Sequence, residues 1–148
     1  MLENLFSDVY SKFKVNFYTR VLSRFESRET SLTTVEVFCL EIIHLLGKPT
    51  INEFASFTQI SSPNAAYKIT NLVKKGYIKK TRSKEDKREY YLSVTDKYYD
   101  YYNIGSSYVH TVVGRMKERF TKEELDLLER MLEVISNELM PEMTKVRS

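Results

Sequence analysis

Apolar residues recur near three- and four-residue intervals from the start of the chain, at Leu2, Phe6, Val9, Phe13, Phe17 and Leu22. That period predicts a helix from Leu2 to about Glu26. Tyr10, Val15, Tyr18, Val21 and Phe25 widen the stripe, and a stripe this wide in a short chain predicts burial against a second subunit. After a polar break at residues 27–31, Thr33 and Glu36 have the spacing of a capping box and open a second helix. Its expected inner face is Val35, Phe38, Cys39, Ile42, Leu45 and Leu46, and Gly47-Lys48-Pro49 ends it. Thr50 and Glu53 repeat the box and open a short third helix carrying Ile51, Phe54, Ala55 and Phe57. Ser61-Ser62-Pro63 then starts a fourth, with a serine as cap and the proline in the first turn, where a missing N–H is harmless.

The fourth helix, residues 61–75, divides cleanly into two sides. Ala65, Ile69, Leu72 and Val73 point inward, while Pro63, Tyr67, Thr70 and Lys74 point away, flanked by Asn64 and Asn71. Gly76 ends it. Two runs with strand-like alternation follow, residues 77–82 and 89–94, paired across the charged tip Ser83-Lys-Glu-Asp-Lys-Arg88. Thr95-Asp96 caps a fifth helix running to about Arg119. Thr121 and Glu124 form a third capping box before a sixth, from residue 122 to about 140. The expected fold is mainly α with a small β-hairpin wing, in one domain spanning residues 1–148.

Composition supports this picture, since four glycines and three prolines in 148 residues favour helices over a many-turned β fold. No apolar run approaches the roughly 18 residues that span a bilayer, and the first residues lack a secretory signal. A single cysteine cannot pair within the chain and fits a reducing compartment. The expected location is cytoplasmic, with no membrane association.

Charge is distributed unevenly. Residues 61–97 hold ten basic and four acidic residues, a net of +6 in a chain whose total is +3. A basic middle between acidic flanks predicts one face that meets a polyanion. A compact helix followed by a basic hairpin is the layout of a winged helix-turn-helix, which offers one element to a DNA groove and another to the neighbouring backbone or minor groove.

Reading base edges requires polar side chains of suitable reach near the start of the helix that enters the groove. Ser61, Ser62, Asn64, Tyr67, Lys68 and Asn71 meet that requirement. Either asparagine suits adenine, Tyr67 suits a thymine methyl or a phosphate, and Lys74 suits a phosphate. In the wing, Arg88 suits a minor groove, Asp86 would orient it through a charge-assisted bond, and Arg82, Lys84 and Lys87 complete the DNA-facing set. The bland alternative is a solvated hairpin tip whose charges serve solubility. A rival function is a winged helix whose basic face binds an acidic protein partner.

Cys39 lies on an apolar stripe and reads as inert core rather than as a redox sensor. His44, with Glu41 nearby, and His110 sit on separate helices and make no convincing metal site. No Gly-rich phosphate loop, His-Glu-x-x-His motif or paired nucleophile and base occurs, so neither an enzyme nor a cofactor is expected.

The run from Leu32 to about Lys97 resembles the MarR family of winged-helix transcriptional regulators. The resemblance rests on Lys75-Gly76-Tyr77-Ile78, on the wing's Asp86-Lys87-Arg88, on Leu92-Ser93-Val94-Thr95 and on Phe120-Thr121-Lys122-Glu123-Glu124-Leu125. Tyr98 stands where the family usually has glycine, and Tyr67 replaces a commonly basic residue. The resemblance implies a DNA-binding lobe at 32–97, with dimerisation helices at 1–28 and 98–148. It further implies a homodimeric, sequence-specific regulator of double-stranded DNA, a repressor at a pseudo-palindromic operator. Small aromatic or phenolic effectors bind such proteins between the lobe and the dimerisation helices. Here Phe13, Phe17, Phe38, Tyr98 and Tyr102 would line that cleft, with core or interface packing as their alternative role.

Overall fold

The computed structural model describes residues 1–26 and 32–147, without the side chains at 25, 26 and 101–105. The expected break at 27–31 lies outside the described residues. Among the described residues, six α-helices and one hairpin run in the order α1 (Leu2–Glu26), α2 (Thr34–Leu46), α3 (Ile51–Thr58), α4 (Ser62–Lys74), β1 (Ile78–Arg82), β2 (Tyr90–Val94), α5 (Asp96–Arg119) and α6 (Lys122–Glu138). A 3-10 turn, Pro141–Met143, follows. The fold is mainly α with a two-stranded wing. Two compact units compose it, one of residues 1–31 and 100–134, the other of residues 32–99 and 135–148.

The second unit contains α2, α3, α4 and the wing. Val37, Leu40, Ile43, Leu46, Phe54, Ala65, Ile69, Leu72, Ile78 and Leu92 are buried there, and each large apolar side chain so buried contributes roughly 1.5–3 kcal/mol. Both capping boxes form: Thr33 exchanges bonds with Glu36 and Thr50 with Glu53.

The inner face of α2 differs from the expected one. Glu36, Val37, Cys39, Leu40, Ile43 and Leu46 are buried, while Val35, Phe38 and Leu45 are exposed and Ile42 is half-buried. This helix is apolar almost all round, so hydrophobic period alone does not choose its rotation. The capping box helps to choose it, because the Glu36 carboxylate that folds back to the Thr33 N–H also receives the Lys75 ammonium at 2.7 Å. That bond is compatible with the rotation that places the Val37 and Leu40 side of the helix in the core.

Strands β1 and β2 pair antiparallel, from Ile78 opposite Val94 to Arg82 opposite Tyr90. The base of the wing is also bonded to the loop before α3: Leu92 N–H donates to the Pro49 carbonyl at 2.8 Å, and Thr50 bridges to Tyr91. Thr95, expected to cap α5, donates its hydroxyl hydrogen to the Gly76 carbonyl at 2.6 Å. The strand leaving the wing is thereby bonded to the end of α4.

The first unit comprises α1 and the adjoining parts of α5 and α6. Phe13 meets the edge of Tyr108, with ring centroids 5.5 Å apart. Val21 is buried, but Leu2, Leu5, Phe6 and Val9 of α1 are exposed, as are Leu127, Met131 and Leu132 of α6. The third capping box joins Thr121 and Glu124 as expected.

Candidate nucleic-acid interface

Ser61, in extended conformation, caps α4 by accepting from the Asn64 N–H at 3.3 Å, and Pro63 occupies the first turn. The cap is therefore the first of the two candidate serines. With Ala65, Ile69 and Leu72 buried, the opposite side presents Ser61, Ser62, Asn64, Tyr67 and Lys74 to solvent, while Lys68 and Asn71 are half-buried at its margin. Tyr67 is 69% exposed, so its ring is available to a ligand rather than committed to packing.

The far end of α4 is closed firmly. Gly76 at φ 84° lets its own N–H reach the Val73 carbonyl and the Tyr77 N–H reach that of Leu72, the two bonds of a Schellman motif. Lys75 then ties this end to α2 through Glu36. Burial opposes the Glu36 charge, yet the Lys75 ammonium and the Thr33 N–H and hydroxyl outweigh it and hold the carboxyl below its ordinary range. Glu36 Oε2 is buried without a hydrogen-bond partner among the described residues.

At the wing tip, Arg82, Lys84, Lys87 and Arg88 are all exposed. Asp86 accepts three bonds from Arg88, each 3.0 Å long: one from its N–H, one from Nε and one from Nη2. The guanidinium lowers the Asp86 carboxyl pKa, and Asp86 raises that of Arg88. A bidentate fork of this kind restricts an otherwise floppy side chain. Arg82 donates to the Lys87 carbonyl at 2.7 Å and so braces the turn.

Ser83, which sequence reasoning passed over, is buried and organises the tip. Its Oγ accepts from the Glu85 and Asp86 N–H groups and lies 3.2 Å from the Tyr91 hydroxyl. The available signal was a serine two and three residues before acidic residues in a turn. Also missed was the polar hollow beside the start of α4, lined by Asn52, Ser56, Gln59, Ser61 and Ser62.

The proposed effector residues are placed less uniformly. Phe13 and Phe17 are half-buried. Phe38 is exposed, whereas Tyr98 is fully buried, its ring beside His44 and its hydroxyl donating to Glu41 at 3.3 Å. The Tyr102 side chain lies outside the described residues.

Burial raises the Glu41 carboxyl pKa despite that hydroxyl. It also raises the Cys39 thiol, and a buried thiol with a raised pKa is a poor nucleophile. The His44 imidazole is lowered by burial and by Lys145. Among the described residues, no group of three or more His, Cys, Asp or Glu side chains is arranged to hold a metal. No helix of the described residues is long and apolar enough to cross a membrane.

No curated protein matches this chain in sequence. Solved structures do share its fold. A transcriptional regulator from Thermotoga maritima superposes with a TM-score of 0.67 at 18% identity, covering 93% of this chain and 96% of its own. Streptococcus pneumoniae FabT in complex with DNA gives 0.57 at 20% identity, covering 94% and 97%. A Staphylococcus aureus MepR variant bound to an oligodeoxyribonucleotide gives 0.54 at 17%, covering 94% and 98%. Residues 32–90, the stretch from α2 to the start of β2, match the model of the MarR family. That stretch of the protein is thus similar to the MarR family, whose members are transcriptional regulators rather than enzymes.

Proposed function

We propose that the protein is a homodimeric, sequence-specific regulator that represses transcription from a pseudo-palindromic operator and is released by a small aromatic or phenolic effector. The observation that carries the DNA-binding part is the wing tip, where Asp86 holds the exposed Arg88 guanidinium in a bidentate fork. Fold neighbours crystallised with DNA support the same reading. In this reading Ser61, Ser62, Asn64, Tyr67, Lys68 and Asn71 face the major groove, Lys74, Arg82, Lys84 and Lys87 meet phosphates, and Arg88 enters the minor groove. The cytoplasm is where such a regulator works.

Dimerisation is supported by the apolar residues that α1 and α6 leave in solvent, because α6 buries none of its own side chains. An area of about 800 Å² per partner would make a stable interface. Two recognition helices then address half-sites roughly 34 Å apart.

Selection of genomic fragments at moderate salt tests the proposal. The expected result is one enriched inverted repeat with half-sites about one helical turn apart, bound by a species that sediments as a dimer. Recovery of no palindrome, with the basic face instead retaining an acidic protein, would overturn it. Effector candidates are tested by thermal shift, followed by release of the operator.

A further inference from the structure

Residues 144–147 return to the winged-helix unit and are fastened to it. Val146 N–H donates to the Leu46 carbonyl at 2.9 Å, and Arg147 bridges in parallel to Gly47. The Arg147 side chain then reaches three places. Nη1 donates to the Lys48 carbonyl at 3.0 Å and to Glu53 Oε1, and the guanidinium lies over the Tyr91 ring at 4.8 Å. Glu53 belongs to the capping box of α3. Burial opposes its charge, but Arg147 and Thr50 hold its carboxyl below the usual range. Tyr91 belongs to β2.

Beyond Tyr91 the contacts lead into the wing tip. Its hydroxyl meets Ser83 Oγ, that oxygen accepts from Glu85 and Asp86 N–H, and Asp86 holds Arg88. We propose that Arg147 is a positioning residue for DNA recognition, fixing the wing against α3 so that Arg88 reaches the minor groove while α4 lies in the major groove. This rests on the DNA-binding reading above. Arg147 touches no DNA itself; it acts through Tyr91 and Ser83. An arginine suits the task because one planar group can donate to a carbonyl, pair with a carboxylate and stack on a ring at once.

Gly47 shows how closely this strap fits. A Cβ at that position would come within 1.9 Å of the Arg147 carbonyl oxygen, and its φ of +86° already disfavours other residues. Gly47→Ala therefore displaces the strap while leaving the Arg147 side chain chemically intact.

Two readouts separate positioning from general stability. Amide hydrogen exchange at Glu85, Asp86 and Arg88 should quicken in Arg147→Ala and in Gly47→Ala, with exchange in the middle of α4 unchanged. In binding to the selected operator, Arg147→Ala should weaken affinity about three- to tenfold in the wild-type background and less than about twofold in the Arg88→Ala background. Arg147→Lys should behave like the alanine variant, since an ammonium cannot make the three contacts together. Equal losses in both backgrounds, or unchanged exchange at the wing, would overturn the proposal. If the wild type shows no sequence preference, the regulator reading fails and wing exchange alone still decides whether Arg147 holds the wing.

Discussion

The ion pair between Glu36 and Lys75 should respond asymmetrically to mutation, because its partners are unequally buried. The Glu36 side chain is 8% exposed and that of Lys75 is 30% exposed. Lys75→Met leaves a buried carboxylate whose remaining described partner is Thr33. Breaking a fully buried pair costs about 3–5 kcal/mol. The Thr33 N–H bond and the partial exposure of Lys75 reduce this to roughly 2–3 kcal/mol, or about 4–12 °C in Tm for a chain of this size. Glu36→Gln keeps an oxygen for Thr33 and leaves a lysine that water can reach, so it should cost only about 1 kcal/mol. The double variant should recover part of the loss in Lys75→Met, since the stranded charge is gone.

The pH dependence follows from the same geometry. In the wild type the Glu36 carboxyl is held below its ordinary value, so its contribution is present above the unfolded pKa and is lost as pH falls through the folded one. Without Lys75, burial still opposes the charge with Thr33 as the remaining described offset, so the folded value rises from that of the wild type and less stability is gained as pH climbs through the carboxyl range. The gap between wild type and Lys75→Met should therefore widen from about pH 4 to pH 6. Urea denaturation at fixed protein concentration, repeated across that range, measures it. A Glu36→Gln loss equal to that of Lys75→Met, or a gap independent of pH, would refute the reasoning.

Arg88→Ala should weaken operator binding and reduce the slope of log affinity against log salt by about 1 per wing, as measured by anisotropy titrations at several salt concentrations. Asp86→Ala removes a negative charge and should tighten binding to random DNA, yet by freeing Arg88 it should lower the ratio of operator to random affinity about two- to tenfold. Parallel tightening on both DNAs would show that Asp86 does not orient Arg88. Glu41→Gln should raise Tm at neutral pH, because burial penalises the charged form. Its folded pKa is raised, so the gain should grow as pH climbs through the carboxyl range and vanish in acid; a gain that persists below about pH 4 would sink this explanation.

What the sequence disclosed depended on whether a signal was local. Capping boxes act across three residues, so Thr33 with Glu36, Thr50 with Glu53 and Thr121 with Glu124 were legible, and the helices began where those pairs stand. The hairpin was legible for the same reason, since alternation and a polar tip sit in one continuous run. The fork between Asp86 and Arg88 spans two residues and could be anticipated from the pair alone. The rotation of α2 was not legible: Val35, Phe38 and Leu45 make as good a stripe as Val37, Leu40 and Ile43. What distinguishes them includes a bond from Glu36 to Lys75, 39 positions away. Arg147 was invisible for a stronger form of the same reason. Its three contacts lie 94 or more residues back at Lys48 and Glu53, and at Tyr91 in a different element. A lone arginine near the end of the chain carries no periodicity, cap or turn signal. Local rules thus identify the surface proposed to meet DNA. The residues proposed to aim it are joined through long-range contacts, so substitutions remote from that surface should alter specificity more than they alter fold.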